Sequence, residues 1–319
     1  MNQPDTSSAV RFITVKDGEE GQRIDNFLIT ALKGAPRTLV YRIVRKGEVR
    51  VNKGRIKAEY RIQAGDVIRV PPIRLPEVPA APTPSPHLAQ QLRERIMYHQ
   101  DGLIVVNKPA GLAVHGGSNL PFGLIEALRV LFPEKEFLEL VHRLDRDTSG
   151  LLLVSEKRSV LRDLHEQLRQ GRIRKTYVAL LEGNLKGGQH KVTAPLHKST
   201  LPSGERIVRV RDDGKPSETV FRVIERFGHA TLVEASPLTG RTHQIRVHAQ
   251  YLGHPILGDE KYGHDDAGKA ARSWGLNRLF LHARDLTLTL SGKTEPLKFS
   301  CPPAPELQAV LEYLRLVKA

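Results

Sequence analysis

The stretch that decides the fold is residues 142–153, which read His-Arg-Leu-Asp-Arg-Asp-Thr-Ser-Gly-Leu-Leu-Leu. Its first part is polar and ends in glycine, which is typical of a loop, and its second part continues into the wholly apolar run 151–154. A short apolar run after a turn signal predicts a buried strand. The loop therefore places one carboxylate, Asp145, between two apparent strands, with Arg143 and Arg146 beside it.

Further strands and helices are predicted around this loop. Apolar or alternating runs predict strands over residues 102–106, 139–141, 175–181 and 230–235. Leucines at helical spacing predict a helix that ends at Gly171, and a later helix is expected to begin at a Thr242 cap and to end before Gly253. Short turns, rather than regular helical crossovers, join most of the strands. The expected fold class is α+β with a largely antiparallel or mixed sheet.

The composition indicates a protein that works on a polyanion. The 319 residues include 49 Lys and Arg against 35 Asp and Glu, so the net charge is +14 and the pI is near 10.0. Cys301 is the only cysteine, which excludes an internal disulfide, and we find neither a secretion signal nor the roughly 18 apolar residues of a membrane helix. We therefore expect a cytoplasmic location. Nucleic acid is the expected partner, although an acidic membrane surface also attracts a basic chain.

Proline divides the chain. Residues 71–86 hold seven of the 21 prolines, a density that excludes helix and removes hydrogen-bond donors from any strand. This segment predicts a stiff, extended linker between two domains, residues 11–70 and residues 87–319. The first domain has 14 basic and 7 acidic residues, so about a fifth of the chain supplies half of the net charge.

The first domain shows a pattern of two short helices followed by a basic hairpin. Apolar residues from Ile24 to Leu32 recur at helical spacing, and Thr38 is expected to cap a second helix that Gly47 ends. Val49 and Val51 alternate as in a strand before the turn 52–54, and residues 67–70 predict another strand after Gly65-Asp66, which together give the hairpin region. The predicted RNA-binding residues are Arg37, Arg42, Arg45, Lys46, Arg50 and Lys53.

Cations in this arrangement suit RNA phosphates, because each neutralised phosphate releases counterions to solution. Few aromatic residues accompany them, so recognition of folded RNA by its backbone and shape is favoured over base stacking. The alternative is an ordinary solvated helix face.

No familiar cofactor or metal motif accounts for the polar loop. Residues 291–294 end like a phosphate-binding loop, but its first glycine and the following helix are missing. His243 and His248 are five residues apart, not the four that places two metal ligands on one helical face. No G-x-G-x-x-G follows a strand and opens a helix, so nothing supports a nicotinamide or flavin.

The remaining candidate for chemistry is Asp145. Burial in a base-binding pocket favours the neutral form of a carboxyl group, so an ionised Asp145 needs a fixed guanidinium beside it. Arg241, at a strand-to-helix turn, is the candidate for this bidentate ion pair. From spacing alone, a turn carboxylate explains Asp145 more readily than catalysis does, although Asp147 is the better turn residue. Tyr177 is likewise explained as a core aromatic residue.

Three motifs resemble those of the RluA-type pseudouridine synthases and occur in the same order: residues 142–153, R-K-T-Y-V-A-L at 174–180 and G-R-T-H-Q-I-R-V-H at 240–248. N-K-P-A-G-L-A-V-H at 107–115 resembles that family's earlier strand-and-turn motif. In the first domain, R-I-D-N-F-L, the basic helix, G-E-V-R-V-N-K-G and A-G-D-V-I resemble the αL-motif RNA-binding domain of a ribosomal small-subunit protein. Together the resemblances cover most of the chain and imply the pseudouridine synthase fold, with its cleft, behind a small RNA-binding module.

The resemblance also implies roles and a reaction. By it, Asp145 is the catalytic carboxylate, Arg241 its ion-pair partner and Tyr177 the ring that stacks on the target base. The reaction breaks the bond between ribose C1′ and N1 of a uridine, turns the base and joins C5 to C1′, which requires no cofactor and no metal. The added basic domain favours large-subunit (23S) ribosomal RNA as the substrate. No obligatory protein partner is implied, and a monomer is expected.

Other readings stay open from the sequence. A non-catalytic ribosome-assembly or RNA-binding factor would use the polar loop only structurally. A transfer-RNA synthase of the same family is a further alternative. A metal-dependent nuclease would need ligands without tight spacing, namely Asp145, Asp147, Asp259, Glu260 and Asp266. The sequence also leaves open whether the carboxylate attacks C1′ or removes a proton from C2′ to give a glycal.

Overall fold

The structure, a computed structural model, describes residues 9–32, 35–73, 84–116, 122–201 and 205–318. The chain forms two compact units, Met1–Pro82 and Thr83–Ala319. Most of the predicted proline-rich linker, residues 71–86, lies outside the described residues. Its last residue, Pro86, is helical and follows a Ser85 cap, although helix was excluded there. Proline is accepted in the first helical turn because its missing N–H would have no partner there.

The first unit is an antiparallel sheet with two helices. Its elements are β1 (Arg11–Thr14), α1 (Ile24–Ala31), α2 (Arg37–Arg45), β2 (Arg50–Val51), β3 (Gly54–Arg55) and β4 (Val67–Val70). The strand order is β1-β4-β2-β3. The helices pack on the sheet through a buried core that includes Ile24, Leu28, Val40, Ile43 and Ile68. Both predicted helices and the predicted hairpin are confirmed.

The start of α2 differs from the prediction. The helix begins at Arg37, directly after Pro36, and no side chain caps it, so the predicted Thr38 cap is wrong. Proline already holds its φ angle near the helical value, at −58°, and has no N–H. It therefore leads the chain into the helix without a capping hydroxyl.

The second unit holds eighteen further elements in the described residues. They are α3 (Pro86–Glu94), β5 (Ile96–Gln100), β6 (Leu103–Lys108), α4 (Leu124–Leu131), β7 (Glu139–Leu140), β8 (Ser149–Ser155), α5 (Arg158–Arg169), β9 (Arg174–Glu182), β10 (Gln189–Thr193), β11 (Leu196–Thr200), β12 (Arg206–Val210), β13 (Glu218–Arg226), β14 (Ala230–Pro237), α6 (Gln244–Tyr251), α7 (Asp265–Ser273), β15 (Leu281–Leu288), β16 (Leu297–Ser300) and α8 (Pro305–Lys318). None of the helices in the described ranges is long and apolar enough to cross a membrane.

One large sheet organises the second unit. Its main order is β10-β13-β14-β9-β15-β8-β6-β5, with β16 beside β15 and β7 beside β8, while β11 and β12 form a separate hairpin. Among the described strands, β15 and β8 pair in parallel and the other neighbours are antiparallel. The predicted α+β class with a largely antiparallel or mixed sheet is confirmed.

The parallel pair at the centre of the sheet depends on a glycine. Ser149 and Gly150, which the sequence assigned to the loop, are the first residues of β8, and Gly150 lies opposite Ala283 of β15. Gly150 has a φ of 110°, and a Cβ added to it would lie 2.2 Å from the carbonyl oxygen of Ala283. Only glycine permits this backbone conformation and this close approach.

The strand register gathers three segments at one place. Ala283 pairs with Gly150 on one side and with Tyr177 of β9 on the other. Tyr177 in turn pairs with Ala235, two residues before the end of β14. The loop that precedes β8, the side chain of Tyr177 and the turn that follows β14 are therefore neighbours.

Candidate active site

A cleft of about 880 Å³ lies in the second unit where these three segments meet. All three residues that the sequence predicts to be catalytic line it. Asp145 comes from the loop before β8, Tyr177 from β9 and Arg241 from the turn between β14 and α6. The structure thus brings together residues that are far apart in the chain.

The two carboxylate oxygens of Asp145 have different surroundings. Oδ2 lies 3.4 Å from Nη1 of Arg246 and 3.8 Å from Nε2 of His243. Within the described residues, Oδ1 has no hydrogen-bond partner, and the side chain is 18% exposed. One oxygen is held from the protein side, and the other is available to a ligand in the cleft.

The predicted ion pair between Arg241 and Asp145 is wrong. Arg241 is exposed, and its Nε donates to the carbonyl oxygen of Pro216 at 3.1 Å. The later arginine of the same motif, Arg246, takes the predicted position. The reason is local backbone geometry, because His243 adopts a left-handed φ of 53° and α6 begins only after it, which directs Arg246 inward.

The predicted cap of α6 is also wrong. The N-cap position is His243, one residue after Thr242, and no side chain makes a capping hydrogen bond. The side chain of Gln244 instead ties the turn together, since its Oε1 accepts from the Thr239 hydroxyl and from the Arg241 amide. Burial of Gln244 fixes the entry into the helix.

Arg246 is itself rigidly held. Its Nε and Nη2 donate to the two oxygens of Asp259 at 2.7 and 2.8 Å, a bidentate pair. Burial opposes ionisation of Asp259, but hydrogen bonds and charge from Arg246 outweigh it and keep the pKa of Asp259 below its usual value. The guanidinium also lies 5.0 Å from the centre of the Tyr262 ring. Arg246 therefore presents a charge of fixed position to Asp145.

Tyr177 is 7% exposed, with its ring at the cleft wall. Burial, aided by the charge of Asp145, raises the pKa of its phenol far above the usual value. The phenol is therefore neutral throughout the physiological range. Its position next to Asp145 suits a ring that stacks on a base.

Lys108 anchors the loop that carries Asp145, and the sequence analysis did not single it out. The side chain is fully buried, and its Nζ donates to the carbonyl oxygens of Pro109, Leu112 and Arg146 at 2.8, 2.8 and 2.9 Å. An ammonium group has three donors, and all three are used. Because Arg146 directly follows Asp145, this contact fixes the loop. The available signal was a lysine at the end of an otherwise apolar strand.

A lysine that lines the cleft has no side-chain partner among the described residues. Lys175 is half-buried, and its side chain makes no hydrogen bond or ion pair with any of them. Burial lowers its pKa. Burial and the charge of Lys175 also lower the pKa of His142 to about 3, so that imidazole is neutral and its Nε2 accepts from the amide of Leu153 at 3.2 Å. A desolvated cation without a counterion favours binding of an anion.

The first unit groups the predicted RNA-binding residues on α2 and the following hairpin, and we call this set the basic face. All six side chains are exposed, and none forms an ion pair with a described residue. Asn52 and Lys53 have left-handed φ angles of 48° and 70°, which confirms the predicted turn. The set consists of Arg37, Arg42, Arg45, Lys46, Arg50 and Lys53.

The acidic residues considered for a nuclease do not form a metal site in the described part of the chain. No three His, Cys, Asp or Glu side chains there are placed to hold an ion. Asp259 is bound by Arg246, and Asp147 pairs with Arg146 at 3.2 Å. These carboxylates are neutralised by arginines instead.

Comparison with known proteins decides the family. A model described as RNA pseudouridylate synthase matches residues 102–251, and an S4 domain model matches residues 22–68. Ribosomal large subunit pseudouridine synthase C of Haemophilus influenzae is 54% identical over 99% of this chain and 98% of its own length. The chain belongs to the RNA pseudouridylate synthase family. The protein of the same name from Escherichia coli is 54% identical over 96% of this chain and 97% of its own length.

Solved structures of the family agree. Human RNA Pseudouridylate Synthase Domain Containing 4 aligns with 72% of this chain and 96% of its own, with a TM-score of 0.61 and 28% identity. For Human RNA Pseudouridylate Synthase Domain Containing 1 the TM-score is 0.56 and the identity is 28%, over 70% and 93% of the two chains. The predicted enzyme class, an RNA pseudouridine synthase with an RNA-binding module at its N-terminal side, is confirmed.

Proposed function

We propose that this synthase converts specific uridines of large-subunit ribosomal RNA to pseudouridine, with Asp145 as the catalytic carboxylate. Relatives that match nearly the whole chain carry the large-subunit name. The observation that carries the proposal is the asymmetry of Asp145, a residue of the cleft wall whose Oδ2 contacts Arg246 while its Oδ1 has no partner among the described residues.

The free oxygen of Asp145 acts on the ribose. It either attacks C1′ or takes a proton from C2′ to give a glycal, and both routes require an ionised carboxylate. Arg246 places a positive charge 3.4 Å from the other oxygen of this carboxylate. No water needs activation, because the reaction returns the base to the same sugar through C5. A single acidic residue therefore suffices.

Tyr177, Lys175 and Arg241 receive the rest of the nucleotide. Reaching C1′ and C5 requires extrusion of the uridine from folded RNA, at a cost of a few kcal/mol. Stacking on the neutral ring of Tyr177 offsets part of this cost. The unpaired ammonium of Lys175 and the exposed guanidinium of Arg241 both line the cleft, where they bind phosphates that flank the target.

The basic face of the first unit holds the RNA outside the reacting site. Its six exposed cations have no ion-pair partners among the described residues, so their charge is available to phosphates. We propose that the protein acts as a monomer, and that it acts in the cytoplasm, where ribosomes are assembled. Light scattering of the RNA-free protein tests the monomer, and a stable dimer contradicts it.

The decisive experiment incubates the protein with an unmodified large-subunit ribosomal RNA transcript and maps pseudouridine by base-specific chemical labelling. We expect discrete modified sites with the wild type. Asp145→Asn should slow the reaction by at least about 1,000-fold while RNA affinity is unchanged, because shape is kept and charge is lost. Asp147→Asn, a nearby carboxylate paired with Arg146, serves as the control and should react normally.

Two outcomes separate the parts of this proposal. Substantial turnover by Asp145→Asn contradicts the assigned carboxylate. Modification of transfer RNA in place of ribosomal RNA contradicts the substrate but leaves the site intact.

A further inference from the structure

His243 lies between the catalytic carboxylate and a buried tyrosine. Its Nδ1 is 2.7 Å from Oη of Tyr262, and its Nε2 is 3.8 Å from Oδ2 of Asp145. The backbone N–H of Val208 donates to the same Oη at 3.1 Å. Tyr262 and Val208 are each 2% exposed, so this chain of contacts runs through the protein interior.

The donors and acceptors in this chain of contacts determine which nitrogen of His243 carries the hydrogen. A backbone N–H only donates, so Oη of Tyr262 accepts from Val208 and its own hydrogen is left to be donated. Among the described residues, Nδ1 of His243 is the acceptor within reach. The reverse orientation would leave the buried hydroxyl hydrogen unpaired, which is costly. A neutral imidazole that accepts at Nδ1 carries its hydrogen on Nε2, the atom that faces Asp145.

The charges around His243 support the neutral form. Burial lowers its pKa, and the positive charges of Arg246 and Lys261 act in the same direction. The negative charges of Asp145 and Asp259 act in the opposite direction but do not prevail. At neutral pH the His243 ring therefore carries a hydrogen on only one of its two nitrogens, as the assignment of donors and acceptors requires.

We propose that Tyr262 is a positioning residue, which holds His243 in the tautomer whose Nε2–H faces Asp145 and thereby orients the catalytic carboxylate together with Arg246. The inference rests on the proposed role of Asp145. At 3.8 Å, Nε2 and Oδ2 are too far apart for a hydrogen bond. A shift of about 1 Å closes the gap, and hydrogen bonds of active sites commonly shorten when the substrate binds.

The β11–β12 hairpin supplies the first donor of this chain. Val208 belongs to β12, and the loop between the two strands contributes Glu205, which pairs with Lys261 at 2.5 Å. Lys261 directly precedes Tyr262 in the chain. The seating of the hairpin against these residues therefore determines whether His243 directs its proton at Asp145.

The first test is Tyr262→Phe, which removes the hydroxyl and keeps the ring. We expect kcat on ribosomal RNA to fall about tenfold with KM unchanged, the effect of one lost hydrogen bond. Nδ1 then lacks its donor, so the tautomer with the hydrogen on Nε2 is no longer enforced. A fall in kcat without a change in KM separates this positioning role from a loss of RNA binding. An unchanged kcat overturns the proposal.

The second test replaces His243 by two residues that differ in one property. Glutamine keeps an N–H donor near the position of Nε2, whereas leucine fills a similar volume without a donor. We expect His243→Gln to retain activity within about threefold and His243→Leu to lose about tenfold or more. Equal losses in both variants mean that His243 only fills space, which overturns the proposal.

The third test reads the tautomer directly by ¹⁵N NMR of the full chain with labelled histidine. The signals of His243 are identified by their loss in His243→Gln. We expect an unprotonated Nδ1 and a protonated Nε2 in the wild type, and a mixture in Tyr262→Phe. The opposite wild-type tautomer overturns the proposal, whatever the activity of Tyr262→Phe. A correct tautomer in an enzyme inactive on RNA would refute the proposed function instead.

Discussion

The arginines of the basic face and Arg246 of the cleft are the same residue type in opposite situations. Arg42 and Arg45 are exposed and have no ion-pair partner among the described residues. Arg246 is buried, donates twice to Asp259 and approaches Asp145. An arginine without an ion-pair partner can bind a phosphate, whereas one that is paired with carboxylates orients those carboxylates.

Lys175 separates two properties in which Arg42 and Arg246 differ, namely burial and the presence of an ion-pair partner. It is half-buried, between Arg246 and Arg42 in exposure, yet its side chain lacks a described partner, as that of Arg42 does. If burial determined the role, Lys175 would be structural; if pairing determines it, Lys175 binds a ligand. We therefore expect the presence or absence of a partner, rather than burial, to separate structural cations from RNA-binding ones in this protein.

Among changes to these cations, the largest effect is expected where the paired guanidinium of Arg246 is lost. Arg246→Lys keeps the charge but not the bidentate geometry, so we expect kcat to fall about 100-fold with RNA affinity unchanged. Arg241→Ala should raise KM by no more than about tenfold, because Arg241 meets RNA rather than Asp145. Single-turnover rates and binding titrations separate the two effects. A greater loss of kcat in Arg241→Ala than in Arg246→Lys would break the comparison.

Lys175→Met tests the buried but unpaired cation. We expect RNA affinity to fall about tenfold, because one charged contact is lost. The free energy of unfolding should rise, because a desolvated charge is replaced by an apolar chain. Lys186→Met, at an exposed lysine, is the matched control and should change neither quantity. Loss of stability in Lys175→Met would show that Lys175 has a structural role.

The basic face is tested by Arg42→Gln combined with Arg45→Gln. We expect affinity for ribosomal RNA to fall several-fold and the slope of log affinity against log salt to decrease by about 1.5, as two phosphate contacts are lost. The kcat at saturating RNA should not change. The control, Lys186→Gln with Lys298→Gln, removes two exposed charges from the second unit. An equal change of slope in the control would argue against a dedicated RNA surface.

The smallest effect concerns His142, whose pKa is lowered to about 3. The unfolded chain takes up a proton near pH 6.5, before the folded chain does, so stability contributed by neutral His142 is lost as the pH falls from about 6.5 to 3. At pH 5.5 the loss is about 1.4 kcal/mol. His142→Gln should remove this part of the acid sensitivity in denaturant titrations, and His87→Gln, an exposed histidine, should not.

Local patterns predicted part of this site. The loop and the strand that carry Asp145 and Tyr177 were predicted from local pattern, and the structure places both residues in one cleft. Their roles were predicted only from the resemblance of their motifs to those of the RluA-type synthases, because spacing alone favoured a turn carboxylate and a core aromatic residue. The predicted ion pair of Arg241 with Asp145 was wrong, because the inward position of Arg246 depends on the left-handed backbone of His243, which neither spacing nor composition indicates. The two helices of the first unit were predicted because their apolar periodicity is local.

Long-range pairing was beyond the sequence. The parallel register of β8 with β15 joins segments more than a hundred residues apart, and no local pattern encodes it. Lys108 was missed for the same reason, because one of its three acceptors, Arg146, comes from a distant loop. Residues whose role depends on such non-local partners require coordinates.

The close approach of Gly150 to Ala283 limits which insertions and shifts of register this protein can accept near β8. A slip of β8 by one residue would bring the side chain of Leu151 against the neighbouring main chain and would move Asp145 by one position. Insertions in the loop before β8 are therefore tolerated only if Gly150 still pairs with Ala283. Gly150 follows Asp145 by five residues, and this spacing must be kept for Asp145 to stay in its place in the cleft.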